Sequence, residues 1–190
     1  IRLTSDDDLT TSKGPNKAHD AVSDPDVKVL LFAAIICTGG SQWQHLNLGR
    51  GQATQDKIFG HLVTFEKLWK NFMRVAAACS ANGGHIAIVW PRACSYWSLK
   101  MVQRVVRKHG ITNYDFDCCM YGLCSTNGAT FVDPIKKPWR IASNMKEFSH
   151  IRLRCIHYPS EHVRCAGADT NTSEGYTDAL ALIIHRYFAS

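Results

Sequence analysis

The spacing of apolar residues along the chain predicts alternating strands and helices. Continuous apolar runs at 28–36 and 85–90 predict two buried strands. Between them, apolar side chains recur at steps of three and four, which predicts a long amphipathic helix over about residues 54–79. A similar pattern at 96–109 predicts a second helix, and the stretch 113–119 predicts a third strand.

The last third of the chain adds a hairpin region and a closing helix. Residues 120–144 combine two turn signals with the strand PWRIAS at 138–143, which favours a β-hairpin. Ser173 and Glu174 are predicted to open the last helix. Because strands alternate with helices, we expect parallel strands joined by right-handed crossovers. The predicted fold is therefore α/β, with a Rossmann-like, mostly parallel sheet and flanking helices.

Composition separates the first residues from the rest. Residues 1–27 are polar, rich in Asp, Ser and Thr, and have no apolar period, so we expect an extended polar arm before an α/β domain at 28–190.

The net charge is +6, with −2 in residues 1–30 and +8 in the remainder. A basic globular part favours an acidic partner, most often nucleic acid. No apolar stretch approaches the roughly 18 residues of a membrane span, so no membrane partner is expected.

The eight cysteines favour a reducing environment. The chain is long, rich in core-type residues, and shows no secretory signal, which argues against a disulfide framework. We therefore expect an intracellular location, with some cysteines buried and others bound to metal. A mitochondrial location would fit this prediction.

Cys37 lies where many α/β enzymes place a nucleophile. It ends an apolar run and is followed at once by a Thr-Gly-Gly-Ser turn. A side chain presented between a strand and a tight loop is typical of nucleophiles on α/β sheets. Two interpretations stay open here: a thiolate nucleophile, or a buried cysteine without a catalytic role.

A second set of residues has the chemistry of a metal site. Cys155, His157, His162 and Cys165 have the spacing C-x-H-x4-H-x2-C. Two thiolates and two imidazoles can close a tetrahedral zinc site, in which no ligand position is left open for catalysis. Two alternatives remain: recruitment of Cys118, Cys119 or Cys124, or a polar loop with hydrogen-bonded histidines.

Basic residues with one tryptophan form the candidate nucleic-acid surface. Lys and Arg neutralise phosphates, and an exposed Trp can stack on an unpaired base. The alternative is a solvated basic face with a buried tryptophan. The predicted nucleic-acid-binding residues are Lys100, Arg104, Arg107, Lys108, Lys136, Lys137, Trp139 and Arg140.

Three segments carry a resemblance to a known family. They are CTGGSQWQ (37–44), IVWP (88–91) and KKPWRIASN (136–144). Their order resembles the catalytic half of cytosine-5 DNA methyltransferases, in the branch found in mobile-element polyproteins of protists. The resemblance covers about residues 28–188 and implies a partial, methyltransferase-like domain. In that family a Pro-Cys supplies the nucleophile, a Glu on the next strand holds the target base, and a basic strand contacts the substrate backbone.

The chain departs from this pattern at the catalytic positions. Ile36 stands where the family has Pro, and Val89 stands where it has Glu. Valine cannot donate or accept a proton, and losing such a group typically costs about 10²–10⁴-fold in rate. Only 36 residues, with the single glycine Gly14, precede Cys37, whereas the family's glycine-rich S-adenosylmethionine site lies far upstream. We therefore expect no bound S-adenosylmethionine and no catalysis, and Cys37 is a catalytic candidate only for an active enzyme.

The sequence thus predicts a catalytically inert, mobile-element-derived domain that binds RNA. It would be a structural subunit of a large ribonucleoprotein such as an organellar ribosome, with ribosomal RNA and neighbouring proteins as partners. One alternative is an active S-adenosylmethionine-dependent cytosine-5 methyltransferase whose cofactor half lies elsewhere. Another is a zinc-stapled protein-interaction module.

Overall fold

A computed structural model describes residues 3–125 and 133–190 of the chain. The chain divides into two units, each with its own packed interior. Unit 1 comprises Ile1–Thr112 with Ala142–Met145, and unit 2 comprises Asn113–Ile141 with Lys146–Ser190. This division differs from the predicted boundary between an arm and a single domain.

The described residues contain four strands, which form one open sheet in the order β1-β2-β4-β3. They are β1 (Leu30–Ala33), β2 (His85–Pro91), β3 (Thr112–Asp117) and β4 (Pro138–Ser143). Strands β1 and β2 pair in parallel, with Leu30 opposite His85 and Ala33 opposite Ile88. The helix predicted between them is present, so this pair is a strand–helix–strand crossover.

Strand β4 is antiparallel to both of its neighbours, β2 and β3. In unit 1, the end of β4 meets the start of β2, because the Ser143 hydroxyl donates to Ile86 O at 2.6 Å and Ile86 N–H donates to Asn144 Oδ1 at 2.8 Å. In unit 2, the start of β4 meets the end of β3, because Cys118 N–H donates to Lys137 O at 3.1 Å. The α/β class with flanking helices is confirmed, but the sheet is mostly antiparallel.

The prediction of a mostly parallel sheet failed because β4, which was assigned to a hairpin region at 120–144, inserts between β2 and β3. The order of elements along a chain does not show which strand inserts between two others. Cys124 does form an isolated antiparallel bridge with Pro134. Residues 126–132 of the predicted hairpin lie outside the described residues.

The described residues contain the three predicted helices, with shifted ends, and three helices that were not predicted. They are α1 (Lys13–Val22), α2 (Gln42–Asn47), α3 (Gln52–Ala81), α4 (Lys100–Lys108), α5 (Ala168–Thr172) and α6 (Asp178–Ala189). The long predicted helix is α3, which ends before Gly83, where a φ of 73° favours glycine. Helix α6 begins later than predicted, because the Thr177 hydroxyl accepts Leu180 N–H and caps it.

Helix α1 replaces the extended arm predicted for residues 1–27. It packs against α3, and its residues Ala18 and Val22 are buried in the core of unit 1. The Arg74 guanidinium on α3 donates to Asn16 Oδ1 at 2.6 Å and fixes the contact. The apolar residues of α1 are too few for a clear period in the sequence, but they suffice to bury one face.

An aromatic cluster forms the core of unit 1. Trp69 on α3 and Trp90 on β2 are 0% and 1% exposed, and their ring centroids lie 5.6 Å apart. Phe65 stacks on Tyr96 at 4.0 Å. The Trp90 indole N–H donates to Ile35 O at 2.6 Å, which ties the segment after β1 to β2. Among the described residues, no helix combines the length and apolar character needed to cross a membrane.

Truncating the central tryptophan should destabilise the protein strongly. We expect Trp69→Ala to lower the free energy of unfolding by about 3–5 kcal/mol, because it removes a fully buried indole and leaves a cavity. Phe59→Ala on the same helix is the control, since Phe59 is 66% exposed, and it should change stability by less than about 0.5 kcal/mol. Urea denaturation measures both, and equal effects would contradict this account of the core.

Candidate metal centre

Four side chains of unit 2 converge on one point. They are Cys119, Cys155, His157 and His162, and one potential ligand atom from each lies within 4.8 Å of all the others. Two thiols and two imidazoles make a donor set that suits a tetrahedral metal ion. The cluster could therefore hold a metal.

The end of β3 positions both cysteines. Cys119 lies in the 3-10 turn Cys118–Tyr121, which follows β3 directly. The buried Asp117 carboxyl group accepts the Cys155 N–H at 2.9 Å, and Asp117 N–H donates to Leu153 O at 3.0 Å. Two segments that are far apart in sequence are thereby fixed side by side.

The interatomic distances resemble those between ligands of one ion. Cys155 Sγ lies 3.5 Å from His157 Nδ1 and 3.2 Å from His162 Nε2. Ligands of a tetrahedral zinc site with sulfur and nitrogen donors lie about 3.6 Å apart, given the usual Zn–S and Zn–N bond lengths. The two imidazole rings are nearly perpendicular, with centroids 5.4 Å apart. Cys155 and the two histidines therefore already stand near the spacing of ligands on one ion.

The two thiols at the end of β3, Cys118 and Cys119, favour the protonated form. Burial, with the neighbouring Cys155 thiol as the next cause, raises the pKa of Cys119 to about 12. Burial also raises the pKa of the adjacent Cys118 thiol. A bound metal reverses this preference, because a coordinating thiol is deprotonated outright.

The structure brings together three of the four predicted ligands. Cys165 is not part of the cluster: its Sγ lies 3.2 Å from Ser173 Oγ and donates to Asp169 O at 3.7 Å. Cys119 completes the set instead. In the sequence, Cys118, Cys119 and Cys124 are equal candidates for a ligand from outside the segment 155–165. Only the contact of Cys155 with the end of β3 identifies Cys119 as that ligand.

The predicted nucleophile, Cys37, lies in unit 1. Cys37 is half-buried beside the buried Cys94, and the hydrogen bond between the two thiols, together with burial, raises the pKa of Cys94. Val89 lies on β2 and is 2% exposed. The position that the resemblance assigns to a carboxylate is therefore occupied by a packed apolar side chain.

The basic residues of helix α4 form an open surface in unit 1. Lys100, Arg104, Arg107 and Lys108 are all exposed, whereas Val102 and Val105 on the other side of the helix are buried. Within the described parts of the chain, none of these four cations has an acidic partner. This half of the predicted nucleic-acid surface is available for binding.

The other half of that predicted surface requires correction. Trp139 is 5% exposed and packs edge-on against Tyr176, with centroids 5.6 Å apart, so no ring face is open to a base. Arg140 donates to both carboxylate oxygens of Asp115 at 2.6 and 3.0 Å. Lys137 donates to Ser173 O and Oγ, both at 2.9 Å. Lys136 remains exposed.

Substitution of Trp139 should therefore damage folding rather than RNA contact. We expect Trp139→Ala to cost about 3–5 kcal/mol of unfolding free energy, because a buried indole is removed. Lys136→Ala, at the exposed position on the same segment, should change stability by less than about 0.5 kcal/mol. Chemical denaturation compares the two variants. A Trp139→Ala protein of native stability would show that the indole is not a core residue.

Comparison with known proteins does not assign the chain to a family. No family model, no curated protein and no solved structure matches the chain.

Proposed function

We propose that this chain is a non-catalytic, zinc-stapled module that binds RNA through the basic face of α4. The observation that carries the proposal is the set of four exposed cations on that helix, namely Lys100, Arg104, Arg107 and Lys108. The setting we propose is a structural role in a large ribonucleoprotein, of which an organellar ribosome is one example. Ribosomal RNA and neighbouring proteins would then be its partners.

The geometry of α4 suits a phosphate backbone. Lys100, Arg104, Arg107 and Lys108 are spaced at i, i+4, i+7 and i+8, which places them along one side of a helix. The helix contains no acidic residue, so nothing on it offsets their charge. Lys and Arg bind phosphates by releasing condensed counterions, without reading the base sequence. The expected binding is therefore sensitive to salt and weakly selective for sequence.

The chemistry around Cys37 supports a non-catalytic role. Attack of a thiolate on cytosine needs a proton-bearing group near the ring, and Val89 provides none. A carboxylate at that position would be buried in the strand, where an unpaired charge is costly. The parallel pair β1 and β2 with α3 between them supports a degenerate, methyltransferase-like domain of Rossmann type as the origin of unit 1.

Zinc is the metal that the cluster suits best. Thiolate and imidazole donors in a tetrahedral arrangement favour zinc over oxygen-seeking cations such as magnesium or calcium. Cys119, Cys155, His157 and His162 would fill all four positions, leaving none for water or substrate. The metal would therefore stabilise the loop rather than take part in a reaction.

Reversing the charge of the α4 face should weaken RNA binding. The triple variant Lys100→Glu, Arg104→Glu, Arg107→Glu should lose at least about tenfold in affinity, and the slope of log K against log salt should fall by about 2. Fluorescence anisotropy with a single-stranded RNA of about 12 nucleotides measures both quantities.

The control for this experiment carries the same change in net charge elsewhere in unit 1. Lys57→Glu, Lys67→Glu and Lys70→Glu alter exposed lysines of α3, a helix that also carries acidic residues. We expect this variant to keep most of the native affinity. Equal losses in the two variants would point to net charge alone and would contradict a specific α4 surface.

Metal analysis tests the zinc site directly. The purified chain should contain about one equivalent of zinc, and Cys119→Ser should lose it, because only three donors remain. Cys165→Ser is the matched control and should retain the metal. Cobalt(II) in place of zinc should give thiolate charge-transfer absorption in the native chain and in Cys165→Ser only. Less than half an equivalent of zinc in the native chain would remove the site from the proposal.

A further inference from the structure

We propose that the segment Arg152–Tyr158 of unit 2 is a stacking platform for the bases of single-stranded RNA. The proposal rests on the proposed RNA-binding function and deepens it, because it names unpaired RNA as the substrate class. It also adds a contact site in unit 2 to the basic face of unit 1. The segment combines two exposed apolar side chains, hydrogen bonds that hold their backbone, and two cations.

Exposed and half-buried residues alternate along the second half of this segment. Cys155 and His157 are half-buried and belong to the metal cluster. Ile156 is 81% exposed and Tyr158 is 76% exposed. The two ligands are thus turned towards the cluster, while the two apolar side chains between and after them are turned to solvent. A metal bound by Cys155 and His157, the two neighbours of Ile156 in sequence, would hold the Ile156 backbone in place.

Several hydrogen bonds fix the backbone that carries these side chains. Cys155 N–H is bound by the Asp117 carboxyl group at 2.9 Å. Tyr158 N–H donates to the Glu161 carboxylate, and Glu161 N–H donates back to Tyr158 O at 3.0 Å. Within the part of the chain that the structure describes, the Tyr158 hydroxyl forms no hydrogen bond. The ring is thus presented to solvent from an ordered backbone, which lowers the entropy cost of stacking on it.

The same segment carries two cations, Arg152 and Arg154, which favour a phosphate-bearing ligand. The Arg152 guanidinium donates to Asn113 O at 2.7 Å and lies over the Tyr114 ring, which keeps it at the surface in one position. Arg154 is 52% exposed and lies 3.9 Å from Asp115, whose carboxylate already accepts two bonds from Arg140. One carboxylate thus faces two guanidinium groups, of which the Arg154 group is the more exposed.

This combination favours single-stranded RNA over a duplex. Bases in a duplex are stacked on each other and cannot cover an exposed aromatic ring, whereas unpaired bases stack on such rings with little sequence preference. Arginine can bind the phosphates between two stacked bases. Tyr158 and Ile156 would contact bases, and Arg152 and Arg154 would contact the backbone.

The test compares Tyr158→Ala with two controls in the full chain. Tyr158→Phe keeps the ring, and Leu182→Ala removes an apolar side chain that is 70% exposed on α6 of the same unit. Ile156→Ser is a second variant of the platform. Anisotropy is measured on a single-stranded RNA of about 12 nucleotides and on the duplex of the same strand, and zinc content and melting temperature confirm that each variant is folded.

We expect Tyr158→Ala to weaken single-strand binding about tenfold and duplex binding by less than about twofold. Ile156→Ser should act in the same direction, while Tyr158→Phe and Leu182→Ala should stay near native affinity. A 2-aminopurine base in the single strand should change its fluorescence on binding to the native chain but not to Tyr158→Ala.

Three outcomes would overturn the inference, and they can be told apart. If charge reversal on α4 abolishes binding while Tyr158→Ala and Ile156→Ser bind normally, the platform is wrong and the proposed function stands. If Tyr158→Ala weakens single strand and duplex equally, the side chain does not stack on unpaired bases. If the native chain binds neither RNA at low salt, the proposed function fails, and the platform fails with it.

Discussion

A buried carboxyl group at the end of β3 is the constraint on which the candidate site depends. Asp117 is 5% exposed, so its side chain must be hydrogen-bonded to be tolerated inside the protein. It binds the Cys155 N–H, while its own N–H binds Leu153 O. These two hydrogen bonds fix the position at which residues 153–155 pass the end of β3. Cys119 follows only two residues after Asp117, so one anchor brings both thiols within reach of a single ion.

Residues 155–158, which follow this point, carry two kinds of side chain. The half-buried cysteine and histidine face the metal cluster, and their exposed neighbours face solvent. Ile156 and Tyr158 are among the most exposed large apolar side chains of the described residues. If the cluster holds a metal, its ligands at positions 155 and 157 would fix the backbone that carries Ile156 and Tyr158.

Local patterns in the sequence predict only part of this arrangement. The period of α3 and the apolar run of β2 are local, and both elements form close to their predicted bounds. The three clustered ligands between residues 155 and 162 are also close in sequence, which explains why their spacing was informative. The choice of Cys119 over Cys165 depends on a contact across 36 residues, between Cys119 and Cys155, and no local spacing encodes it. The sequence around Trp139 did indicate that this residue is buried. Trp139 and Ile141 occupy alternate positions of a strand and therefore share one face, and this pattern is stronger evidence than the adjacent lysines.

The path of β4 has a consequence for the order in which the chain can fold during synthesis. Unit 1 needs residues 142–145, because Ser143 and Asn144 supply hydrogen bonds to Ile86 in β2. A nascent chain that has emerged only as far as residue 112 therefore contains most of unit 1 but leaves one side of β2 without its partner. An open strand edge of this kind is prone to wrong pairing. The first unit in sequence therefore cannot be completed until residues 113–141 of the second have left the ribosome.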